Sequence, residues 1–296
     1  MKKVALLILS VALFACSNNK SEQTDSVEIK VEKPYEGQNL LIYVGAASKP
    51  PTEEIVEQFQ QETGVTVETI FGGSGYVMSQ MKLSGKGDIY FPGSSDYMEI
   101  AKRENLVYPE TEKQVVYLVN AINVQNGNPK NIKSLKDLCK PGIKVAIANP
   151  EGVCVGAYAV EILEKNLNEN EMKQFKNNLS NYTESCDKTA SAIALKTVDA
   201  VIGWSVFQYW NPEEIETIPL QPNEIIRIGY IPIAISTSTK NKELAQYFID
   251  YVTGEKGKAI FKKYSYFATA DEAKQFIGAE KPIGGEYVVP ENWLSK

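Results

Sequence analysis

Residues 40–48 read Leu-Leu-Ile-Tyr-Val-Gly-Ala-Ala-Ser, and residues 65–75 read Val-Thr-Val-Glu-Thr-Ile-Phe-Gly-Gly-Ser-Gly. The first stretch opens with an apolar run and the second with a partly alternating one, and both are rich in strand-forming residues. Each stretch closes with small residues that include a serine. Pro50 and Gly64 are typical of the start and the end of a helix between the two stretches. The first part of the chain therefore predicts strand, serine loop and helix in that order, and this order decides the fold.

The same alternation continues along the chain, with a third strand at 87–91 and a helix at 97–105. A second block has predicted strands at 115–120, 144–148 and 200–204, and predicted helices at 134–138, 156–166, 172–179 and 190–196. An extended run at 225–236 and amphipathic helices at 244–253 and 256–263 follow. Alternating strands and helices predict an α/β protein in which helices cover mainly parallel sheets.

The N-terminal residues have the pattern of an export signal. Lys2 and Lys3 precede an apolar run at 4–13. This run is too short to cross the roughly 30 Å hydrocarbon core of a membrane as a helix. Residues 1–15 are therefore interpreted as a signal peptide. Residues 16–37 are mostly polar and cannot bury enough apolar surface to fold alone, so they are predicted to form a tether.

Composition excludes several classes of function. The chain of 296 residues has a formal net charge of −6 and no histidine. A negative chain is poorly suited to nucleic acid, whose binding depends on Lys and Arg. Without histidine there are no Ser-His-Asp or Cys-His nucleophile pairs and no His-ligated zinc sites. Catalysis by carboxylates or lysine remains open, but no carboxylate pair is recognisable, so we expect no enzyme. An anionic ligand remains open, because local dipoles can bind an anion inside a negative protein.

Ser48 and Ser74 lie where a predicted strand ends and a helix begins. Ligands of open α/β sheets bind at this end of the strands. A helix N-terminus also carries partial positive charge and free N–H groups, so two such ends could hold an anion without Lys or Arg. The alternative is that each serine only caps its own helix. The Gly-rich turn at 72–75 lacks the Gly-Lys-Ser/Thr ending of a nucleotide-binding P-loop.

Further motifs follow in order. They are Gly-Asp-Ile-Tyr-Phe at 87–91, Ile-Ala-Asn-Pro-Glu at 147–151, Gly-Ala-Tyr-Ala at 156–159 and Asp-Ala-Val-Ile-Gly-Trp at 199–204. With the two serine loops, this set resembles the periplasmic molybdate-binding proteins of ABC transporters. The resemblance implies an α/β, two-lobed periplasmic-binding-protein fold of type II, a hinged clamshell with two crossings. It also implies lobe boundaries, with residues 38–118 plus 231–296 in lobe 1 and residues 119–230 in lobe 2.

The resemblance also implies a binding site. Family members hold a tetrahedral dianion with two Ser hydroxyls, backbone N–H groups and a Tyr hydroxyl. The two hydroxyls correspond to Ser48 and Ser74, and the second-lobe backbone donors correspond to Val155 and Cys186. The Tyr position holds Trp204, which departs from the family pattern. An indole N–H is a donor and could replace the phenol, but Trp204 could equally be a core residue at a strand end.

The resemblance implies molybdate or tungstate as ligand, with no cofactor and no metal site apart from the metal of the oxyanion. The expected partner is the permease of an ABC transporter, and the chain is expected to be a monomer. The sequence Leu-Phe-Ala-Cys at 13–16 resembles the lipidation motif of bacterial lipoproteins. Cys16 is therefore expected to anchor the chain at the outer face of the cytoplasmic membrane or in the periplasm.

Three alternatives remain. The same fold could bind another small anion, namely sulfate, phosphate or a carboxylate, or the chain could be an exported enzyme or a structural lipoprotein. Cys139, Cys154 and Cys186 remain in the exported chain. Export favours pairing, but their number is odd, and cysteine is often simply buried. Because Cys154 and Cys186 both align with ligand-proximal segments, a bridge between them is a hypothesis.

Overall fold

The computed structural model describes residue 33 and residues 35–294. The predicted signal peptide, the lipidated Cys16 and most of the predicted tether lie outside the described residues. Within the described residues, no helix combines the length and the apolar character needed to cross a membrane.

Ten strands and ten α-helices make up the described part of the chain. The strands are β1 (Asn39–Gly45), β2 (Thr66–Gly72), β3 (Ile89–Phe91), β4 (Lys113–Leu118), β5 (Asn120–Gln125), β6 (Val145–Ala148), β7 (Leu179–Thr183), β8 (Ala200–Trp204), β9 (Ile215–Pro219) and β10 (Gly229–Ile235). The helices are α1 (Lys49–Thr63), α2 (Ser74–Ser84), α3 (Ser95–Arg103), α4 (Cys154–Asn166), α5 (Glu169–Asn178), α6 (Cys186–Ala194), α7 (Phe207–Trp210), α8 (Lys242–Thr253), α9 (Glu255–Lys263) and α10 (Ala270–Ile277).

The strands form two sheets of five. The first has the order β2-β1-β3-β10-β4 and the second the order β7-β6-β8-β5-β9. We call the parts of the molecule built around them the first and the second lobe. The chain passes from the first sheet to the second between β4 and β5, and it returns between β9 and β10.

Both sheets are mixed, whereas the sequence predicts mainly parallel sheets. In the first sheet β1 pairs in parallel with β2 and β3, but β10 is antiparallel to β3 and β4. In the second sheet β6 pairs in parallel with β7 and β8, but β5 is antiparallel to β8 and β9. In each sheet the antiparallel strand is the first strand after a crossing, β10 in the first sheet and β5 in the second.

Glycines end two helices of the first lobe. Gly64 follows α1 with φ of 74°, and Gly85 follows α2 with φ of 60°. A residue with a side chain is strained in this left-handed region, which explains why glycine stands there. The helix end predicted at Gly64 is therefore confirmed.

The buried apolar residues form two clusters. The first covers the first sheet and continues without a break to Cys154, Cys186 and Trp204 of the second lobe. The second cluster covers the far side of the second sheet and also includes Ala273 and Trp293. The family resemblance implies that residues 231–296 belong to the first lobe, but Ala273 and Trp293 pack in the second cluster. Trp293 is held there because its ring packs on Phe175 and its N–H donates to Glu164.

Candidate functional site

Ser48 ends a short 3-10 turn, Ala46–Ser48, between β1 and α1. Its side chain is fully buried and makes no capping bond to α1. The Thr52 hydroxyl donates to Ser48 Oγ over 3.2 Å, and Ser48 Oγ lies 3.5 Å from the Gly45 carbonyl oxygen. The first contact fills an acceptor position, and the second is at the limit of a hydrogen bond. The Ser48 proton is therefore only weakly held and is free to turn toward a ligand.

Ser74 is the first residue of α2 and is 1% exposed. It does not cap this helix with its side chain, because the N-cap residue is Gly73. The backbone N–H of Gly93 donates to Ser74 Oγ over 2.9 Å. This bond uses the oxygen as an acceptor and leaves the hydroxyl proton available as a donor.

Val155 and Cys186 lie at the starts of α4 and α6, and both side chains are buried. The first N–H groups of a helix have no acceptor within the helix, and the helix dipole adds partial positive charge at that end. The two helices follow β6 and β7, which are parallel neighbours in the second sheet. Their N-termini therefore lie at the same edge of that sheet.

Trp204 is the last residue of β8 and is fully buried. Its ring packs edge-on against Tyr158, with the centroids 5.0 Å apart and the planes at 64°. Among the described residues, its indole N–H has no hydrogen-bond partner. A buried N–H without an acceptor costs roughly 1–3 kcal/mol, so it needs an explanation. A ligand oxygen would supply the acceptor.

Gly93 lies where the two lobes pack against each other beside the serine loops. A Cβ atom at Gly93 would lie 2.8 Å from Cys154 Sγ, 2.6 Å from Ala47 Cβ and 3.4 Å from Ser74 Oγ. The 3-10 turn that carries Ser48 packs against α6 of the second lobe. The structure therefore brings the two serine loops of the first lobe against the starts of α4 and α6.

The thiol of Cys186 lies within the second-lobe wall. Burial raises its pKa well above the ordinary value, the neighbouring Cys154 raises it further, and the nearby Trp204 indole lowers it, although the indole N–H does not meet the geometry of a hydrogen bond to the thiol. Cys186 is therefore a neutral thiol at pH 7 and adds no negative charge to the site. Cys139, Cys154 and Cys186 are all free thiols, so the hypothetical bridge between Cys154 and Cys186 is absent.

Two oppositely charged side chains stand at the mouth of the cleft. Lys49, next to Ser48, lies 3.4 Å from the carboxylate of Asp187, next to Cys186. Both side chains are about one-third exposed, at 34% and 27%. Such a pair contributes only about 0–1 kcal/mol, so it does not by itself hold the lobes together.

Three hydrogen bonds hold the lobes in contact beside the site. The Gly75 N–H donates to the Gly152 carbonyl over 2.9 Å, and the Tyr97 hydroxyl donates to the Glu151 carbonyl over 3.1 Å. The Asn149 amide donates to the Tyr76 hydroxyl over 2.8 Å. The lobes are therefore closed over the buried donors, and a ligand can reach them only when these contacts open.

Gly152 allows the close approach of the lobes. A Cβ atom there would lie 2.3 Å from the Tyr76 ring, and the glycine does not have positive φ. Gly152→Ala should therefore displace Tyr76 and break its bond to Asn149. We expect a loss of roughly three- to tenfold in ligand affinity, the equivalent of one neutral hydrogen bond. The measurement is isothermal titration of the variant with its ligand.

The double variant Gly152→Ala/Tyr76→Ala separates the clash from other effects. It removes the ring that the new methyl group meets, so it should bind no more weakly than Tyr76→Ala alone. Equal affinity of Gly152→Ala and the parent protein would contradict closure through this contact.

The sequence does not identify Gly93, Thr52 or Tyr158 as parts of this site. Thr52 sits one helical turn after Ser48, and this i, i+4 spacing is the signal that could have identified it. Gly93 and Tyr158 reach the site only through tertiary packing. Within the described residues, no group of three or more His, Cys, Asp or Glu side chains could hold a metal ion. The arrangement offers neutral donors, which suit an anion.

The family model described as bacterial extracellular solute-binding protein matches residues 40–267. The chain is 24% identical over 226 residues to a putative binding protein of Haemophilus influenzae, covering 75% of this chain and 88% of that protein. It is 23% identical over 272 residues to the putative ABC transporter substrate-binding lipoprotein YvgL of Bacillus subtilis, covering 90% and 99%. It is 22% identical over 237 residues to the molybdate-binding protein ModA of Escherichia coli, covering 77% and 88%.

Solved structures with the same fold include the periplasmic molybdate-binding protein of Azotobacter vinelandii, with a TM-score of 0.67 and 18% identity. That match covers 78% of this chain and 99% of the other. The sulfate-binding protein SubI of Mycobacterium tuberculosis has a TM-score of 0.69 and 15% identity, and the match covers 83% and 94%. The predicted fold class, a two-lobed periplasmic-binding-protein fold of type II, is confirmed.

Proposed function

We propose that this chain, which belongs to the family of bacterial extracellular solute-binding proteins, captures molybdate or tungstate and delivers it to the permease of an ABC transporter. One observation carries the choice of an oxyanion. Ser74 and Trp204 are buried and present donors that no described bond uses, and the Ser48 proton is only weakly held. The N–H groups at Val155 and Cys186 complete a donor set without a positively charged side chain.

A site made of donors favours a fully ionised oxyanion. Hydrogenphosphate carries its own O–H, which needs an acceptor, and a buried polar group without a partner costs roughly 1–3 kcal/mol. Molybdate, tungstate and sulfate need only donors. Asp187 is the carboxylate next to the site, and it is already engaged by Ser185 and Lys49.

Relatives support molybdate within this group. Proteins named as molybdate-binding match 77% of the chain by sequence in Escherichia coli and in Azotobacter vinelandii. The fold is shared with a sulfate-binding protein and with a protein that has bound fructose-6-phosphate. Sulfate, phosphate and small carboxylates are therefore the alternatives that an experiment must separate.

Cys16 is proposed as the lipid anchor of the exported chain, at the outer face of the cytoplasmic membrane or in the periplasm. The lipoprotein relative of Bacillus subtilis matches 90% of this chain. The proposed partner is the permease of the transporter, and the chain is proposed to act as a monomer without a cofactor. No catalytic step is part of the proposal.

Isothermal titration tests the function directly. Protein comprising residues 17–296 should bind molybdate or tungstate much more tightly than sulfate or phosphate. A site of donors disfavours hydrogenphosphate, and the relatives named as molybdate-binding favour molybdate over sulfate. At 100 times the dissociation constant, the ligand should also stabilise the fold by about 2.7 kcal/mol in thermal unfolding. Heat from phosphate or sulfate alone, with none from molybdate or tungstate, would show that the ligand assignment is wrong.

A further inference from the structure

Arg227 is a buried cation between the two lobes, 5% exposed. It lies in the segment before β10, and its neighbours Ile225 and Ile228 belong to the second core cluster. Its Nη2 donates to the Asp96 carboxylate over 2.8 Å, and its Nε donates to Glu161 over 2.7 Å. Asp96 is on α3 of the first lobe and Glu161 is on α4 of the second, so one guanidinium joins helices of both lobes.

Each of the three guanidinium nitrogens donates to a defined acceptor. Nη1 donates to the second oxygen of Asp96 over 3.1 Å and to the Gly285 carbonyl over 2.6 Å. Burial opposes the charged form of Arg227, but Tyr158, Asp96 and Glu161 outweigh it and raise the pKa above the ordinary value. Arg227 therefore stays positively charged, and its planar guanidinium fixes the directions in which its hydrogen-bond partners lie.

Tyr158 connects this cation to the ligand site. The Arg227 guanidinium lies 3.8 Å from the centroid of the Tyr158 ring, and its Nη1 donates to the Tyr158 hydroxyl over 3.1 Å. The same ring packs against Trp204 at 5.0 Å. One side chain thus lies between the buried cation and the unpartnered indole N–H.

We propose that Arg227 is a positioning residue for the ligand site: it holds Tyr158 by a hydrogen bond and a ring contact, and through Tyr158 it fixes the orientation of Trp204. The inference rests on the proposed function in one respect, namely that Trp204 faces the ligand. A lysine cannot replace the guanidinium, since it has no planar fork and cannot hold Asp96, Glu161 and the ring together.

A double-mutant cycle tests the coupling. Arg227→Lys should weaken molybdate binding about tenfold in the parent protein and less than about twofold in the Trp204→Phe background, because coupled residues are not additive. Arg103→Lys is the matched control, since Arg103 makes a similar fork to Glu286 at 2.8 Å but on the surface. It should leave the affinity unchanged. An equal loss in both backgrounds, or no loss in either, would overturn the proposal.

If the Arg227→Lys variant does not fold, the Tyr158→Phe variant tests the same coupling. It keeps the ring between Arg227 and Trp204 and removes only the hydroxyl that Arg227 binds. Its loss of molybdate affinity should be a few-fold, as for one hydrogen bond, and should again shrink in the Trp204→Phe background. Additive losses would contradict positioning through Trp204.

A spectroscopic measurement separates this inference from the proposed function. The difference in near-ultraviolet circular dichroism between parent and Trp204→Phe protein reports the environment of Trp204 without any ligand. This difference should change in the Arg227→Lys or the Tyr158→Phe background, and an unchanged difference would overturn the positioning role. Absence of molybdate binding by the parent protein would instead overturn the proposed function, and the spectra would still decide the role of Arg227.

Discussion

Replacing Ser48 or Ser74 by alanine should weaken oxyanion binding by roughly 10- to 100-fold each, because each hydroxyl would donate to a charged ligand in a buried site. Hydrogen bonds to charged groups contribute about 1.5–3 kcal/mol, and each 1.4 kcal/mol is a factor of ten. The double variant should have the largest loss of any change in this site. The measurement is isothermal titration with molybdate and with tungstate.

The expected size of the effect depends on how the two hydroxyls are held without ligand. The Ser74 oxygen already accepts from Gly93, and the Ser48 oxygen accepts from Thr52. Both bonds orient the side chain and leave the proton as the group that can donate. A ligand therefore finds donors that are already positioned, so little affinity is lost in ordering them.

Neither alanine variant should lose a helix cap. Ser48 and Ser74 make no side-chain capping bonds, but each alanine leaves a buried donor, the Thr52 hydroxyl or the Gly93 N–H, without its acceptor. The free energy of unfolding without ligand should therefore fall by about 1–3 kcal/mol in each variant, and thermal unfolding must be measured beside the affinity. Ser79→Ala is the matched control, because Ser79 is on the same helix as Ser74 but is exposed and donates to the Gly75 carbonyl. Unchanged affinity in both Ser48→Ala and Ser74→Ala would contradict this site.

The serines also show how far sequence reasoning reaches. A serine between a strand and a helix predicts an N-cap or a ligand donor equally well, since both need the same residue at the same place. The distinction depends on where the hydroxyl points. That direction is set by Thr52 and Gly93, and only the folded chain shows it.

Several elements were predictable because their signals are local. The runs at β1 and β8 are apolar, β2 alternates in part, and Gly64 marks the end of α1. The edge strand β7 was not predicted. β7 reads Leu-Ser-Asn-Tyr-Thr and is mostly exposed, so it lacks the apolar alternation that identifies a strand.

The sequence predicts one strand at 115–120, where the structure has the end of β4, Val119 and the first residue of β5, and it predicts no strand over the rest of β5. Val119 alone separates the two strands, and no Gly or Pro marks the change from the first sheet to the second. The crossing is a tertiary event, because each strand pairs with partners far along the chain. For the same reason, no local pattern indicates that Arg227 meets Asp96.

Trp204→Phe should lower oxyanion affinity by roughly 10- to 100-fold if its N–H donates to the ligand, the value of one bond to a charged group. The change keeps an aromatic ring against Tyr158 and removes the only polar atom of the side chain. Binding can be followed by isothermal titration. The N–H has no partner among the described residues, so its loss without ligand removes no hydrogen bond.

The same change also affects packing, and this must be measured separately. A Cβ atom at Gly229 would lie 3.0 Å from Trp204 Cη2, so the indole fills the space beside β10. The smaller ring leaves a gap there, which should lower the free energy of unfolding by about 1–2 kcal/mol. Thermal unfolding without ligand gives this value.

Substitutions of Trp293 and Trp210 are the controls, and the second matches the bonding state of Trp204 more closely than the first. Trp293→Phe makes the same change at a residue whose N–H donates to Glu164, away from the site. Trp210→Phe is stricter, because the Trp210 N–H is also buried without a partner. Trp210 lines the cavity at the mouth of the cleft with Lys49 and Asp187. If a ligand oxygen satisfies Trp204 alone, only Trp204→Phe should lose affinity.

Affinity and stability together decide between the two roles of Trp204. If Trp204 donates to the ligand, Trp204→Phe should lose more affinity than its lower stability accounts for. The reason is that the N–H forms a hydrogen bond only when the ligand is bound. If Trp204 is only a core residue, Trp204→Phe should be less stable but should bind the ligand with unchanged affinity, since the lobes can still close over the two serine loops. Loss of stability alone would therefore exclude Trp204 as a donor. The anion would then be held by Ser48, Ser74 and the N–H groups at the starts of α4 and α6.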